Sequence, residues 1–207
     1  MSHKIEPGRT PFRTVTAVAV PLNQMNVDTD QIIPARFLSA SREEAAPNLF
    51  RDVRYRDDGE PRPEFVLNQP PYKDAAIMVG GRNFACGSSR EMAVTVLKDN
   101  GFKVFIAPSF GDIFFNNCFQ NGVLPIALPE ARVNELLRFL LELPGAEIQV
   151  DLPAQTIKGP DQKTDTFEID SFRKQCLLDG IDEIDLTLGY EAQIAAFEAR
   201  RRTEPGA

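Results

Sequence analysis

Gly80-Gly81-Arg82-Asn83-Phe84-Ala85-Cys86-Gly87-Ser88-Ser89-Arg90-Glu91 is the densest concentration of polar and reactive groups in the sequence. It follows a short apolar run, residues 75–79, that suits a buried strand, and it precedes a stretch with helical character. Loops at the carboxyl ends of parallel strands are where α/β sheets hold ligands. A helix N-terminus adds unpaired N–H groups and a partial positive charge, so it attracts carboxylate or phosphate. Ser88 and Ser89 would contribute neutral hydroxyls there, and Arg90 a two-pronged carboxylate clamp. The same residues also spell S-x-x-E from Ser88 to Glu91, a capping box in which the serine serves only the helix amides. On the motif alone both readings stand.

Two further clusters invite chemistry. Asp28-Thr29-Asp30 sets two carboxylates around a hydroxyl just after a strand, an arrangement able to hold a substrate hydroxyl or a metal. Asp and Thr in such a loop equally form Asx turns or cap the next helix. Asn116-Asn117 lies inside an otherwise apolar, aromatic helix and needs hydrogen-bond partners. Other devices are excluded. No G-K-[ST] follows Gly81–Gly87, so a phosphate loop lacks its lysine, and G-x-G-x-x-G is absent. Cys86 as a nucleophile, or any Ser-His-Asp triad, would need a histidine base, and His3 in a polar N-terminal stretch is the sole one. Cys86 is expected to be a buried structural thiol.

These candidates need elements to position them. Thr14–Val20 alternates into a strand ending at Pro21. Residues 75–79, 103–107 and 123–128 are apolar runs, each followed by a helical stretch: residues 89–100, 110–121 and 130–143. Gly101 and Gly122 close the first two helices, and Pro129 opens the third. Strands alternating with helices of this length describe βα units around a parallel sheet. After Pro144 the pattern becomes three short strands, 147–152, 155–158 and 166–169, then helices over 171–180 and 182–200. Residues 39–73 are rich in proline and read as irregular, long for a connection without structure of its own. Residues 1–13 and 201–207 read as loose tails on one domain spanning 1–207.

Composition narrows the function classes. Of 207 residues, 23 are Lys or Arg and 30 Asp or Glu, for a net charge of −7, which argues against nucleic acid or an anionic membrane as partner. One histidine and three cysteines, Cys86, Cys118 and Cys176, with no C-x-x-C, give no basis for a metal or iron–sulfur site on this chain. Hard chemistry would need a metal supplied from elsewhere. The start lacks an apolar signal core, no run is long enough to span a membrane, and unpaired thiols suit a reducing cytosol, so a cytoplasmic location is expected.

Taken together, these residues resemble the small-subunit family of 3-isopropylmalate dehydratase, in the aconitase superfamily. The resemblance runs from about residue 14 to 190. It is carried in order by residues 26–34 (NVDTDQIIP) with Arg36-Phe37-Leu38, by Gly87-Ser88-Ser89-Arg90-Glu91, by residues 106–110 (IAPSF) and 112–119 (DIFFNNCF), by Asn121-Gly122, and by residues 176–182 (CLLDGID).

The resemblance implies an α/β fold like the swivelling domain of aconitase, a β/β/α arrangement with a parallel central sheet and an antiparallel addition. It implies no cofactor on this chain, and a [4Fe–4S] cluster on a large partner subunit. The complex would isomerise 2-isopropylmalate and 3-isopropylmalate, hydroxy-dicarboxylates of leucine biosynthesis, by dehydration and rehydration. Ser88 would be the base, Ser89 and Arg90 would contact a substrate carboxylate, Asp30 would sit near the partner's catalytic groups, and Arg36 would be a further substrate contact. The family's usual N-F-G-C-G-S-S-R-E-H-A is altered here at Ala85 and Met92. Met92 and Val96 make an apolar pair one turn apart, so packing accounts for Met92. The alternatives are a related hydro-lyase acting on a methyl- or dimethyl-malate, and a non-catalytic dicarboxylate-binding module.

Overall fold

A computed structural model describes residues 9–182 and 190–203. Its sheet has seven strands in the order β4-β3-β2-β1-β5-β6-β7. These are β1 (Thr14–Leu22), β2 (Ile77–Gly80), β3 (Val104–Ala107), β4 (Leu124–Ala127), β5 (Glu147–Asp151), β6 (Thr156–Lys158) and β7 (Thr164–Thr166). β1 to β4 are parallel, while β5 to β7 add antiparallel pairs, so the expected α/β fold with an antiparallel addition is what forms. β1 belongs to both halves. Thr14–Val18 pairs antiparallel with β5, and Ala19–Leu22 pairs parallel with β2. Pro21 does not end this strand. It lies in the half flanked by β2 alone, where a residue without an N–H is tolerated.

The parallel strands read as continuous apolar runs because both faces are covered. Successive side chains alternate, so Met78 and Phe105 enter one core while Ile77, Val79, Val104 and Ile106 enter the other. The first core lies under α4 (Glu91–Asp99) and α5 (Asp112–Gln120), and the second under α6 (Glu130–Glu142) and α7 (Ser171–Asp179). A core phenylalanine such as Phe105, 1% exposed, would cost about 3–5 kcal/mol to truncate to alanine. Arg132 of α6 ties the second layer to the β6–β7 hairpin through Asp161 and Asp165.

Several segments differ from their sequence reading. Residues 39–73 are not structureless. Following α1 (Thr29–Ile32), they hold the short helices α2 (Arg42–Ala45) and α3 (Arg51–Arg54), plus three 3-10 turns. Ala45, Leu49 and Phe50 are fully buried in the first core, which is what fixes this segment. β7 forms at Thr164–Thr166 and not at 166–169, because the turn over 159–163 closes with Gly159 N–H bonded to the Lys163 carbonyl and so sets the register. The looseness expected of residues 1–13 does not extend to 9–13. Arg9 and Phe12 donate backbone hydrogen bonds to Gly180 and Leu177, and Phe12 is buried. Residues 1–8 lie outside the described residues. At the other end the expected helix over 182–200 is described as α8 (Glu191–Thr203), so 201–203 are helical, and 183–189 and 204–207 lie outside the described residues.

Candidate active site

Three loops meet at the carboxyl ends of β1, β2 and β3, and backbone hydrogen bonds fasten them side by side. Asn26 N–H bonds the Arg82 carbonyl (2.9 Å), Cys86 N–H the Val27 carbonyl (3.1 Å), and Thr29 N–H the Cys86 carbonyl (2.9 Å). On the other flank, Phe84 N–H bonds the Ser109 carbonyl (3.0 Å) and Gly111 N–H the Phe84 carbonyl (2.9 Å). Approach this close requires glycine. A Cβ on Gly81 would lie 2.5 Å from the Gln24 carbonyl oxygen, and one on Gly111 would collide with the Ala85 carbonyl. The loop residues pay in conformation as well: Asn83 and Ala85 both adopt positive φ, at 58° and 55°. For Ala85 this is a backbone that glycine takes at no cost, in keeping with the glycine that the resemblance implies at this position.

The capping-box reading of Ser88 does not hold. α4 begins at Glu91 with Arg90 as its N-cap residue, and no side chain caps it. Ser88 stands two residues earlier because its carbonyl is engaged twice, accepting from Thr29 Oγ1 (3.0 Å) and from Arg90 N–H (2.8 Å). The Ser88 and Ser89 side chains are exposed, and neither hydroxyl has a hydrogen-bond partner among the described residues. Ser88 borders a cavity of about 360 Å³, with Cys86, Phe110 and the first residues of α5 around it. Cys86 is therefore half-buried at the site and not the fully buried thiol expected. Cys118 is buried, and burial pushes its thiol well above the ordinary range.

The Asp28-Thr29-Asp30 triplet divides its labour. Asp28 caps α1 by accepting from Gln31 N–H (2.6 Å), so the turn reading is right for this residue. Thr29, 2% exposed, positions Ser88 through its carbonyl. Asp30 reaches across sixty residues of sequence to Arg90, with Nη1 to Oδ1 at 2.5 Å, and also accepts from Ala35 N–H at 2.9 Å. Those two hydrogen bonds, the arginine's first, hold the Asp30 carboxyl below its usual range. Arg90 Nη1 also donates to the Ile33 carbonyl (3.0 Å), while its Nε is buried without a partner. Arg90 is thus anchored through Nη1, directly after two serines whose hydroxyls are unengaged among the described residues, and its Nη2 is left for a carboxylate.

Other expected residues fall elsewhere. Arg36 makes no hydrogen bond to this cluster, although the Asp30 charge reaches it. It makes a two-pronged ion pair with Asp52 on the surface, and that contact raises Arg36 and lowers Asp52. Asn116 finds its partner in Arg173 (2.6 Å). Met92 is half-buried and packs on the first core, which also contains Val96, in keeping with a packing role. Asn26, Asn83 and Ser109, to which no motif assigns a role, lock the loops: Asn83 Nδ2 donates to Asn26 Oδ1, and Ser109 Oγ accepts from Asn83 N–H, both at 2.9 Å. The signal available was an asparagine beside each glycine-tight turn, since asparagine tolerates positive φ. Among the described residues no three His, Cys, Asp or Glu side chains converge as a metal site, and the three cysteines sit on a loop, α5 and α7. The described donors do not fit an iron–sulfur cluster.

Comparison with known proteins bears on the same residues. Residues 9–131 match the aconitase C-terminal domain, and residues 183–205 match the C-terminal domain of the 3-isopropylmalate dehydratase small subunit. The 3-isopropylmalate dehydratase small subunit of Paramagnetospirillum magneticum is 53% identical over 193 residues, covering 93% of this chain and 96% of that one. The small subunit of the same name from Aromatoleum aromaticum is 50% identical over 204 residues, with 94% and 96% covered. A solved structure of 3-isopropylmalate dehydratase from Methanocaldococcus jannaschii matches with a TM-score of 0.62 at 26% identity, covering 91% of this chain and 99% of that one. No helix among the described residues is long and apolar enough to cross a membrane. With identities of about half over nearly its whole length, the chain belongs to the 3-isopropylmalate dehydratase small-subunit family.

Proposed function

We propose that Ser88 is the base of the hydro-lyase reaction served by this family, the interconversion of 2-isopropylmalate and 3-isopropylmalate in leucine biosynthesis, and that the large subunit brings the [4Fe–4S] cluster. The observation that carries the reading is an exposed, unengaged Ser88 hydroxyl set by Thr29 beside the Arg90–Asp30 pair. Dehydration removes hydroxide from one carbon and a proton from its neighbour, and rehydration returns them the other way round. A cluster on the large subunit would supply the Lewis acid for the departing hydroxyl. Ser88 takes the carbon-bound proton, holds it while the alkene is present, and returns it on rehydration.

A serine alkoxide is costly, so its surroundings must stabilise it. The unsaturated N-terminus of α4 and the Arg90 guanidinium supply fixed positive charge next to it. Arg90 and Ser89 hold a substrate carboxylate, with the arginine using Nη2, which neither Asp30 nor the Ile33 carbonyl engages. Asp30 fixes Arg90 and faces the partner's catalytic groups. Arg36 contacts substrate only by exchanging Asp52 for a substrate carboxylate, an exchange an exposed ion pair permits. The chain works as one domain, in the cytoplasm, a reducing compartment in which the thiols of Cys86 and Cys118 persist.

Reconstitution tests the reading. The chain alone should be colourless and inactive. Mixed without oxygen with a cluster-loaded large subunit, it should interconvert the isopropylmalates. Turnover of methyl- or dimethyl-malates in their place would assign a related hydro-lyase, and dicarboxylate binding without any turnover would remove the catalytic role.

A further inference from the structure

We propose that a basic groove at the end of the sheet opposite the catalytic loops binds a small polyanion, an organic molecule carrying two or more phosphate or carboxylate groups. The groove encloses about 860 Å³ between residues 9–15, the end of α4, and the residues leading into β3 and β4. Arg9, Arg13, Lys98 and Lys103 line it, and no Asp or Glu does among the described residues. That is unexpected in a chain with 30 acidic residues against 23 basic ones, where a random surface hollow would be acid-rich. The volume is that of a small-molecule site, large enough for more than a lone inorganic ion.

The cations there are poorly neutralised. Arg13 and Lys103 are exposed and have no ion-pair partner among the described residues. Arg9 meets Asp182 at 3.4 Å, a long contact. The Lys98 ammonium donates to a neutral acceptor, the Asn121 carbonyl, at 2.7 Å. Burial, and then the like charges of Arg9 and Arg42, lower the Lys98 pKa, with Asp99 opposing them. Like charges held together at a half-enclosed site repel, and an anion placed among them relieves that repulsion. Gly101 and Gly122 leave the floor without side chains, while Phe12 and Phe102 form buried apolar walls that suit an organic body between the charged groups. The groove shares no lining residue with the Ser88 cavity, so the inference is independent of the catalytic assignment.

Titration calorimetry on the full chain tests it, with pyrophosphate and citrate as separate probes. One saturable site that weakens as salt is raised is expected for at least one probe, and the stronger of the two distinguishes phosphate from carboxylate ligands. The double variant Arg13→Gln/Lys103→Gln, which breaks no ion pair, should weaken binding at least tenfold. Arg90→Lys, on the catalytic face, should leave it unchanged. Absence of saturable binding with both probes, binding that survives the double variant, or binding that is lost in Arg90→Lys would each overturn the proposal. Unchanged thermal unfolding of the double variant shows that a loss is not misfolding.

Discussion

Arg90 and Arg132 are buried to nearly the same degree, their side chains 14% and 10% exposed, yet they keep opposite company. Every nitrogen of Arg132 is engaged with carboxylate. Nε binds Asp165 at 2.7 Å, Nη1 binds Asp161 at 2.7 Å and Glu135 at 3.1 Å, and Nη2 binds Asp161 at 3.1 Å. Arg90 uses only Nη1, on Asp30 and the Ile33 carbonyl, and leaves Nε buried and unpartnered. The acids differ too. The Asp161 side chain is 4% exposed and cannot be exchanged, whereas that of Asp30 is 59% exposed. A guanidinium has five donors: Arg132 uses four of them, spread over all three nitrogens, and Arg90 uses two, both at Nη1. Arg132 clamps α6 to the β6–β7 hairpin. Arg90 keeps Nη2 without a partner among the described residues.

This contrast can be broken from either side. The largest effect on stability is expected at the closed site: Arg132→Leu strands a buried Asp161 and should destabilise by about 3–5 kcal/mol in chemical denaturation. What folded enzyme remains should keep its KM. At the open site the pattern reverses. Arg90→Lys keeps the charge but loses the fork, and should lower kcat/KM about 100-fold, near 2.7 kcal/mol of transition-state stabilisation, with little change in thermal midpoint. Asp30→Asn, which weakens the anchor of Arg90 and keeps an acceptor for Ala35 N–H, should cost about tenfold in kcat/KM. A 100-fold kinetic loss in folded Arg132→Leu enzyme would erase the distinction.

Acid separates the two arginine sites further. Burial alone would raise the Asp161 carboxyl, but hydrogen bonds from Arg132 and Lys163 N–H outweigh it and bring the pKa below the ordinary value. A carboxylate depressed in the folded state stabilises above its unfolded pKa and loses that contribution as pH falls through the folded one. The stability gap between the wild type and Asp161→Asn should therefore be constant near neutrality and narrow below about pH 4. Denaturation midpoints measured from pH 7 to pH 2.5 check this. Asp30 is also lowered by its arginine, but its exposure makes Asp30→Asn a small effect in the same series.

How much of this was legible in the sequence depends on how local the determining contacts are. β2, β3 and β4 were readable as apolar runs because each is covered on both faces, and their helices because each has a marked start or stop. Residues 39–73 were not, since Leu49 and Phe50 are held by partners distant in sequence and the short turns between them show no period. The capping box over Ser88–Glu91 has the right letters, but the tertiary demand of Thr29 on the Ser88 carbonyl moved the helix start two residues on. At the site, Ser88, Ser89, Arg90 and Asp30 were found as separate motifs. That Asp30 belongs with Arg90 and that Arg36 belongs with Asp52 are facts of folding which no spacing rule encodes.

The proposed role of Ser88, as the base this chain supplies to a two-subunit dehydratase, rests on a single hydroxyl. Ser88→Ala, combined without oxygen with the cluster-bearing large subunit, isolates that role, because the hydroxyl has no hydrogen-bond partner among the described residues and its loss should leave the fold and the complex intact. A kcat at least about 1,000-fold below wild type is expected, with KM changed less than about threefold, the mark of an interaction made in the transition state alone. A Ser88→Ala enzyme that turns over isopropylmalate at near the wild-type rate would contradict it.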